Sequence, residues 1–364
     1  MKALAPIWHK FTPKLAFSSS PYNSNILFQV QDVNGDLVLN TTESQLATAR
    51  RPRTSHVKAT SNDVPIIVVG GGISAAAFVE QARLNGCMAP ITMITEDEHP
   101  PYDRVLLSKK PASEAKDIRL RSDDYYKENF INVIPSARVT GVDLTLRKVT
   151  LWTGDTMQYS KLVLALGAKP MKLSCPGADL KNVYNVRNVS DANAIAAHAP
   201  GKHVVCIGGS FIGMEIASAL MGTAAFVTVV CNTDEPLPVL GVDVGCVIRN
   251  RFEGKGIRVV TKATVTKLEG TDVVTGVTID TGETIPADVV VVGIGVEPPT
   301  DWLKNTRVEL DERGFIKVDE RFRTTADFVY AIGDVASAPL PLWDIDNINI
   351  QHFQTAQAHG KYQR

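Results

Sequence analysis

The chain of 364 residues has room for two domains of ordinary size. Hydrophobic residues make up 44% and charged residues 21%, the balance of a globular protein, and a net charge of -1 gives no long-range pull toward nucleic acid or an anionic membrane. No apolar run approaches the roughly 20 residues that span a bilayer; the longest is Val289–Val292 with Gly293 and Ile294 behind it, which reads as a buried strand.

The first 31 residues lack Asp and Glu and carry Lys2, Lys10 and Lys14 among several Ser and Pro. That pattern loosely suits a mitochondrial presequence, although arginine is absent and prolines interrupt any helix. A disordered leader is the competing expectation, so the compartment is expected to be mitochondrion or cytoplasm. Residues 26–39 (ILFQVQDVNGDLVL) predict a β-hairpin around Asn34-Gly35, a pair that supplies positive φ cheaply. A basic stretch follows with Arg50, Arg51, Arg53, His56 and Lys58. With no aromatics interleaved, it reads as a solvated linker rather than a nucleic-acid or phospholipid patch.

From Val64 onward strands and helices alternate, which predicts parallel sheets with right-handed crossovers. The first unit runs from Ile66–Val69 through a helix over Ala75–Asn85 to a strand at Ile91–Ile94. Between strand and helix lie Gly70, Gly71 and Gly72. Gly70 permits a tight bend, and Gly72 lets backbone N–H groups approach a pyrophosphate beside the positive end of the helix. Ala75 takes the place of the third glycine and is small enough for helix–strand packing. Glu96 and Asp97 end the next strand and offer carboxylates to a ribose; Glu96 is the favoured ligand, with a plain charged loop as the alternative. Next, PPYDRVLLSKK fixes Arg104 and Lys109 on one short segment.

The second unit repeats the pattern. Val204–Ile207 leads into Gly208-Gly209-Ser210, a helix over Gly213–Leu220, a strand at Phe226–Val230, a helix around Val242–Phe252, the strand RVV and a β-rich stretch to Val292. Two such turns in strand–turn–helix context argue for two nucleotide sites in one chain. Residues 306–364 are too few for a domain and are expected to return to the first one, making the second an insertion. The domains expected are 1–63 (leader, hairpin and linker), 64–175 with 306–364, and 176–305. Five cysteines (Cys87, Cys175, Cys206, Cys231, Cys246) form no CxxC pair, so neither a redox disulfide nor a zinc knuckle is encoded, and a reducing compartment is implied.

The PPYDRVLLSKK segment resembles the PYDRPPLSK stretch of flavin-dependent reductases of the ferredoxin-reductase and apoptosis-inducing-factor type. The likeness continues through LVLALGAKP, GGSFIGMEIA, VVVVGIGVEP and VYAIGDVA. In YSKLVLALG, LSCPG, DAN and INIQHFQTAQAHG the chain is similar to the Rieske-bearing apoptosis-inducing factor 3 group, over roughly residues 26–364. The resemblance implies an α/β fold of two doubly wound Rossmann-like domains, with FAD in the first and NADH or NADPH in the second. It also implies hydride transfer to the flavin and onward electron transfer to an unknown acceptor. It places Gly70 and Gly72 on the FAD pyrophosphate, Glu96 on the adenosine ribose, and Arg104 and Lys109 near the phosphates and ring. Gly333 and Asp334 fall to the ribityl-phosphate arm, and Gly208, Ser210, Gly213 and Gly295 to the nicotinamide dinucleotide. Glu215 is implied as the partner of Lys109 across the domain interface, the two tuning the flavin. His352 and Gln354 open a last helix whose dipole faces the pyrimidine edge.

Three departures qualify the resemblance. Ser210 replaces the middle glycine of the second turn, adding a side chain where backbone should touch phosphate, and that strand ends at Cys231-Asn232 where an acid would hold the NAD ribose. No CxH…CxxH set precedes residue 64, so no iron–sulfur centre is expected. The chain stops at Arg364, before the interface domain of the family, so an exposed flavin face, an exposed apolar surface and lost oligomer contacts are expected. These departures motivate the competing expectation of a catalytically weak or inactive fragment with a binding or apoptosis-related role.

Overall fold

The structure, a computed structural model, describes residues 30–33, 36–39 and 63–362. Strands β1 (Val30–Val33) and β2 (Asp36–Leu39) pair antiparallel with Val33 opposite Asp36, as the alternation over 26–39 predicts. The Asn34-Gly35 turn, the leader and the basic linker lie outside the described residues. The hairpin belongs to one compact unit, Met1–Ser55, and everything below to the other, His56–Arg364.

The larger unit is organised on two five-stranded parallel sheets, an α/β architecture. In the first, β3 (Ile66–Val69), β4 (Ile91–Ile94) and β5 (Ile131–Ile134) run outward from the centre. On the other side of β3 lie β9 (Lys161–Leu164) and β21 (Val329–Ala331), giving the order β21-β9-β3-β4-β5. In the second, β12 (His203–Ile207), β13 (Phe226–Val230) and β14 (Arg258–Val260) run outward, with β18 (Val289–Val292) and β11 (Val183–Asn185) on the other side. Every residue of β3, β4 and β18 is buried, which is why these strands read as unbroken β-branched runs rather than alternating ones. Strand β21 joins the edge of the first sheet only after the second sheet is complete.

The two sheets repeat one plan, hydrogen bond for hydrogen bond. Gly70 N–H donates to the Ile94 carbonyl and Ala165 N–H to the Val69 carbonyl; likewise Gly208 N–H donates to Val230 and Gly293 N–H to Ile207. Ser136 N–H reaches the Asp97 carbonyl, as Lys262 N–H reaches that of Thr233, and Ser136 and Lys262 share left-handed backbone at φ 52° and 54°. Each half of the larger unit also carries a three-stranded antiparallel meander ahead of the strand that returns past the centre. In the first it is β6 (Val139–Asp143), β7 (Lys148–Leu151) and β8 (Thr156–Gln158). In the second it is β15 (Val265–Gly270), β16 (Val274–Ile279) and β17 (Thr284–Pro286). Strands β10 (Lys169–Pro170) and β19 (Val296–Glu297) pair antiparallel where the chain leaves one sheet and returns from the other.

Helix α1 (Ile73–Leu84) follows the first glycine turn, and α5 (Phe211–Leu220) follows the second. Both begin two residues earlier than the sequence predicts, because Gly72 and Ser210 already act as N-caps. Between β4 and β5 stand α2 (Leu106–Lys109) and α3 (Asp123–Glu128). Ahead of β12 lies α4 (Val189–His198), closed by a capping box between Asn188 and Asp191. Helix α6 (Val242–Glu253) joins β13 to β14. The last helix, α7 (Phe353–Tyr362), packs against α1 so closely that a Cβ on Gly360 would lie 2.4 Å from the Ser74 carbonyl oxygen. The segment between β22 (Ala336–Leu340) and β23 (Ile345–Ile348) leaves Leu342 82% and Trp343 65% exposed.

Candidate functional site

In each sheet the first strand lies at the centre and its neighbours are reached in opposite directions, so a crevice opens at the carboxyl ends between β3 and β9, and again between β12 and β18. The glycine turns sit at these two points. Gly70 has φ 121°, and a Cβ there would come within 2.0 Å of the Ala165 carbonyl oxygen on the neighbouring strand's extension. Gly208 has φ 112°, and its Cβ would come within 2.2 Å of the Gly293 carbonyl oxygen. Only glycine fits either position. Gly72 differs: a Cβ there meets nothing within 4 Å, so its missing side chain leaves open space in front of the N-terminus of α1.

Around the first crevice the structure gathers groups from distant parts of the chain. A short 3-10 turn, Gly333–Val335, follows β21. Gly333 has φ 74°, and a Cβ there would lie 2.5 Å from Ser74 Oγ, which seats the turn on the first turn of α1. The buried Oδ1 of Asp334 has no hydrogen-bond partner among the described residues. Burial raises the Asp334 pKa, opposed by the charges of Arg187 and His352. The guanidinium of Arg187, in the loop ahead of α4, makes no hydrogen bond or close ion pair among the described residues, but the charges of Asp334 and Asp97 act on it. Burial, reinforced by neighbouring Arg104, pushes its pKa down to about 10. Its Nη2 lies 2.7 Å from where a Cβ on Gly167 would stand, beyond the end of β9.

The two candidate acids after β4 separate. Asp97 accepts hydrogen bonds from Tyr102 (2.7 Å) and Arg104 (2.9 Å) and has 8% side-chain exposure, so it is consumed by the fold. Glu96 is 74% exposed, with Arg138 3.8 Å away, and remains open to a ligand. Arg104 is held by Asp97, by the Tyr102 hydroxyl and by the Arg187 carbonyl at 2.6 Å, and its buried Nε has no partner. Tyr102 OH is bound to Asp97, and its pKa is raised by burial. His352 is exposed; its Nδ1 accepts from Gln354 N–H and its carbonyl from Ala356 N–H, so it caps α7.

Lys109 and Glu215 meet across α2 and α5 at 2.8 Å, and Ser108 Oγ donates to the other carboxylate oxygen of Glu215. The pair is not buried: the Glu215 side chain is 32% exposed and that of Lys109 44%. An ion pair so placed contributes about 1 kcal/mol or less to stability.

At the second crevice the Ser210 side chain turns inward. Its hydroxyl donates to the Gly293 carbonyl (2.8 Å) and accepts from Gly213 N–H (3.5 Å), capping α5. Gly213 has no room for a Cβ, which would lie 2.1 Å from the Gly208 carbonyl oxygen. Gly295, at φ 117°, passes its carbonyl to Met171 N–H at the β10–β19 crossing. Past the end of β13, Arg249 pairs with Glu235 at 2.8 Å and Lys262 with Asp234 at 3.2 Å. Among the described residues no group of three or more His, Cys, Asp or Glu could hold a metal ion, and no helix is long and apolar enough to cross a membrane.

The first crevice fits a dinucleotide with a sugar-alcohol arm. Among the described residues it offers N–H groups without partners at a helix N-terminus, a guanidinium without a hydrogen bond, and an orphaned carboxylate oxygen able to accept from a hydroxyl. Arg187 is the residue that sequence reasoning missed; NVRNVSD carries no periodicity that would mark it.

The family model described as pyridine nucleotide-disulphide oxidoreductase matches residues 64–360, and the chain belongs to that family. It is 35% identical to apoptosis-inducing factor 3 of Homo sapiens over 303 residues, 83% of this chain and 50% of that protein. It is 31% identical to the biphenyl dioxygenase system ferredoxin–NAD(+) reductase component of Paraburkholderia xenovorans, over 76% of this chain and 68% of that one. Among solved structures it matches a ferredoxin reductase from Rhodopseudomonas palustris with a TM-score of 0.78 at 28% identity, over 82% of this chain and 74% of the other. The chain thus spans about half the length of the apoptosis-inducing factor 3 relatives it matches.

Proposed function

We propose that the chain is an FAD-dependent oxidoreductase that takes hydride from NADH or NADPH and passes electrons to a separate acceptor. The observation that carries this reading is the unmatched pair Asp334 and Arg187 converging on the first glycine turn. A buried carboxylate oxygen and a guanidinium that feel each other's charge but lack hydrogen-bond partners among the described residues are stabilised by a ligand that supplies a hydroxyl and phosphates.

FAD, when bound, supplies a hydride acceptor that releases its two electrons together or singly. The chain's own residues bind and orient it. Gly70–Gly72 and the start of α1 receive the pyrophosphate with Arg187, Glu96 receives the adenosine ribose, and Asp334 receives a ribityl hydroxyl. Arg104, fixed by Asp97 and Tyr102, braces the Arg187 loop through its carbonyl. The second crevice, at Gly208, Ser210, Gly213 and Gly295, receives the nicotinamide dinucleotide. Lys109, held by Glu215, brings a positive charge to the junction of the two sites, where negative charge accumulates during reduction. Electron transfer to a ferredoxin-like protein fits the relatives' names.

The purified protein is expected to be yellow, or to become so with added FAD, and to bleach under NADH or NADPH without oxygen. A protein that stays colourless with FAD present refutes the reading. Lys109→Ala is expected to slow bleaching roughly 100-fold, the scale of losing one placed charge. Its melting temperature should stay close to wild type, because the pair is exposed. Stopped-flow absorbance checks the first and calorimetry the second.

A further inference from the structure

His359 has no role in the site as described, yet it is the side chain that ties the last helix to the Asp334 turn. It lies on α7, one residue before Gly360, where that helix presses against α1. Its Nδ1 accepts a hydrogen bond from Gly333 N–H at 3.3 Å. This bond spans 26 residues and holds the first N–H of the 3-10 turn that carries Asp334. The ring also packs on Phe322, centroids 4.4 Å apart, and Phe322 lies in the segment whose carbonyl accepts from Ala331 N–H at the end of β21.

The imidazole thus sits between the two ends of the strand–turn junction that delivers Asp334. Burial alone pushes its pKa down to about 4, with no charged group contributing, so near neutral pH the ring is uncharged and an acceptor at Nδ1. Apolar packing would be served equally by leucine. A ring nitrogen aimed at Gly333 N–H serves something more specific, the angle of the turn.

Resting on the proposed FAD reading, we infer that His359 is a positioning residue: by accepting from Gly333 N–H it fixes the turn so that the orphaned Oδ1 of Asp334 meets the ribityl arm of FAD. The His359 side chain touches neither cofactor nor substrate. It acts by keeping an acceptor already oriented, so that binding need not order the turn.

The test measures FAD affinity of the apo-protein by quenching of FAD fluorescence, with thermal melting of the same apo samples as a control. His359→Asn places an amide oxygen near the position of Nδ1 and is expected to bind FAD within about threefold of wild type, since one hydrogen bond is kept. His359→Leu, and His359→Gln whose longer amide overshoots Gly333, are expected to bind roughly tenfold more weakly. The Asn variant should therefore rescue affinity even where all three melt at similar temperatures. If His359→Leu does not fold, His359→Gln against His359→Asn carries the same comparison. Equal FAD affinity in wild type, Gln and Asn variants overturns the inference and leaves the FAD reading standing. A wild-type protein that takes up no FAD overturns both.

Discussion

Arg83→Met should cost about 3–5 kcal/mol of stability, a large share of a domain's total of roughly 5–15 kcal/mol. Arg83 is 1% exposed on α1, yet no carboxylate faces it through a salt bridge among the described residues. Its guanidinium donates instead to four backbone carbonyls: Asn129 and Cys87 at 2.7 Å, and Ala89 and Phe130 at 2.8 Å. These carbonyls end α3 and line the loop from α1 into β4, so one side chain staples the outer half of the first sheet to its central helix. Burial lowers the Arg83 pKa, opposed by the neighbouring Cys87 and Tyr125 side chains. Methionine fills similar volume but donates nothing, leaving buried acceptors that must find water or move. Lysine, a point charge on a flexible stem, should recover part of the loss because it cannot span both pairs of carbonyls. Urea unfolding checks this, and an unchanged midpoint for the Met variant would refute it.

Much of this architecture is legible from the sequence for a simple reason. Strands buried on both faces must be apolar throughout, so Ile66–Val69, Ile91–Ile94 and Val289–Val292 stand out from the chain, and the structure places strands with those bounds. The glycine turns are legible at Gly70 and Gly208, where no other residue tolerates the φ and the contacts. The repeated strand–turn–helix pattern was legible, but how far the repeat extends was hidden, because it lives in backbone hydrogen bonds that leave side chains free to diverge: Thr95 and Cys231 hold the same place and share no chemistry. The site was legible only where local. Sequence offers Glu96 and Asp97 as near-equals, and the choice between them is made by Tyr102 and Arg104, which fold back onto Asp97. Arg187 and His359 were illegible because only the tertiary fold brings the Gly333–Asp334 turn to them. Ser210 reads as damage in sequence and proves to be a helix cap in space.

Gly70→Ala and Gly72→Ala should separate the glycine that the fold requires from the one the ligand requires. At Gly70 the new methyl would stand 2.0 Å from the Ala165 carbonyl oxygen, and the backbone at φ 121° is strained for any side chain. The central strand pair β3–β9 cannot open to relieve it, so the cost is expected to reach about 4 kcal/mol or more. At Gly72 the backbone has φ -92° and ψ -174°, ordinary for alanine, with no atom within 4 Å. Ser210 already carries a side chain at the matching position, with φ -76° and ψ 172°. Apo stability of Gly72→Ala should therefore stay within about 0.5 kcal/mol of wild type. Its FAD affinity should fall at least tenfold, by roughly 1.4 kcal/mol or more, because the methyl occupies the space through which a pyrophosphate reaches the N–H groups of α1. Melting curves of the apo-proteins and FAD titrations read the two effects separately. A Gly72→Ala protein that binds FAD like wild type would remove the pyrophosphate from this turn. A Gly70→Ala protein as stable as wild type would contradict the packing of β3 against the extension of β9.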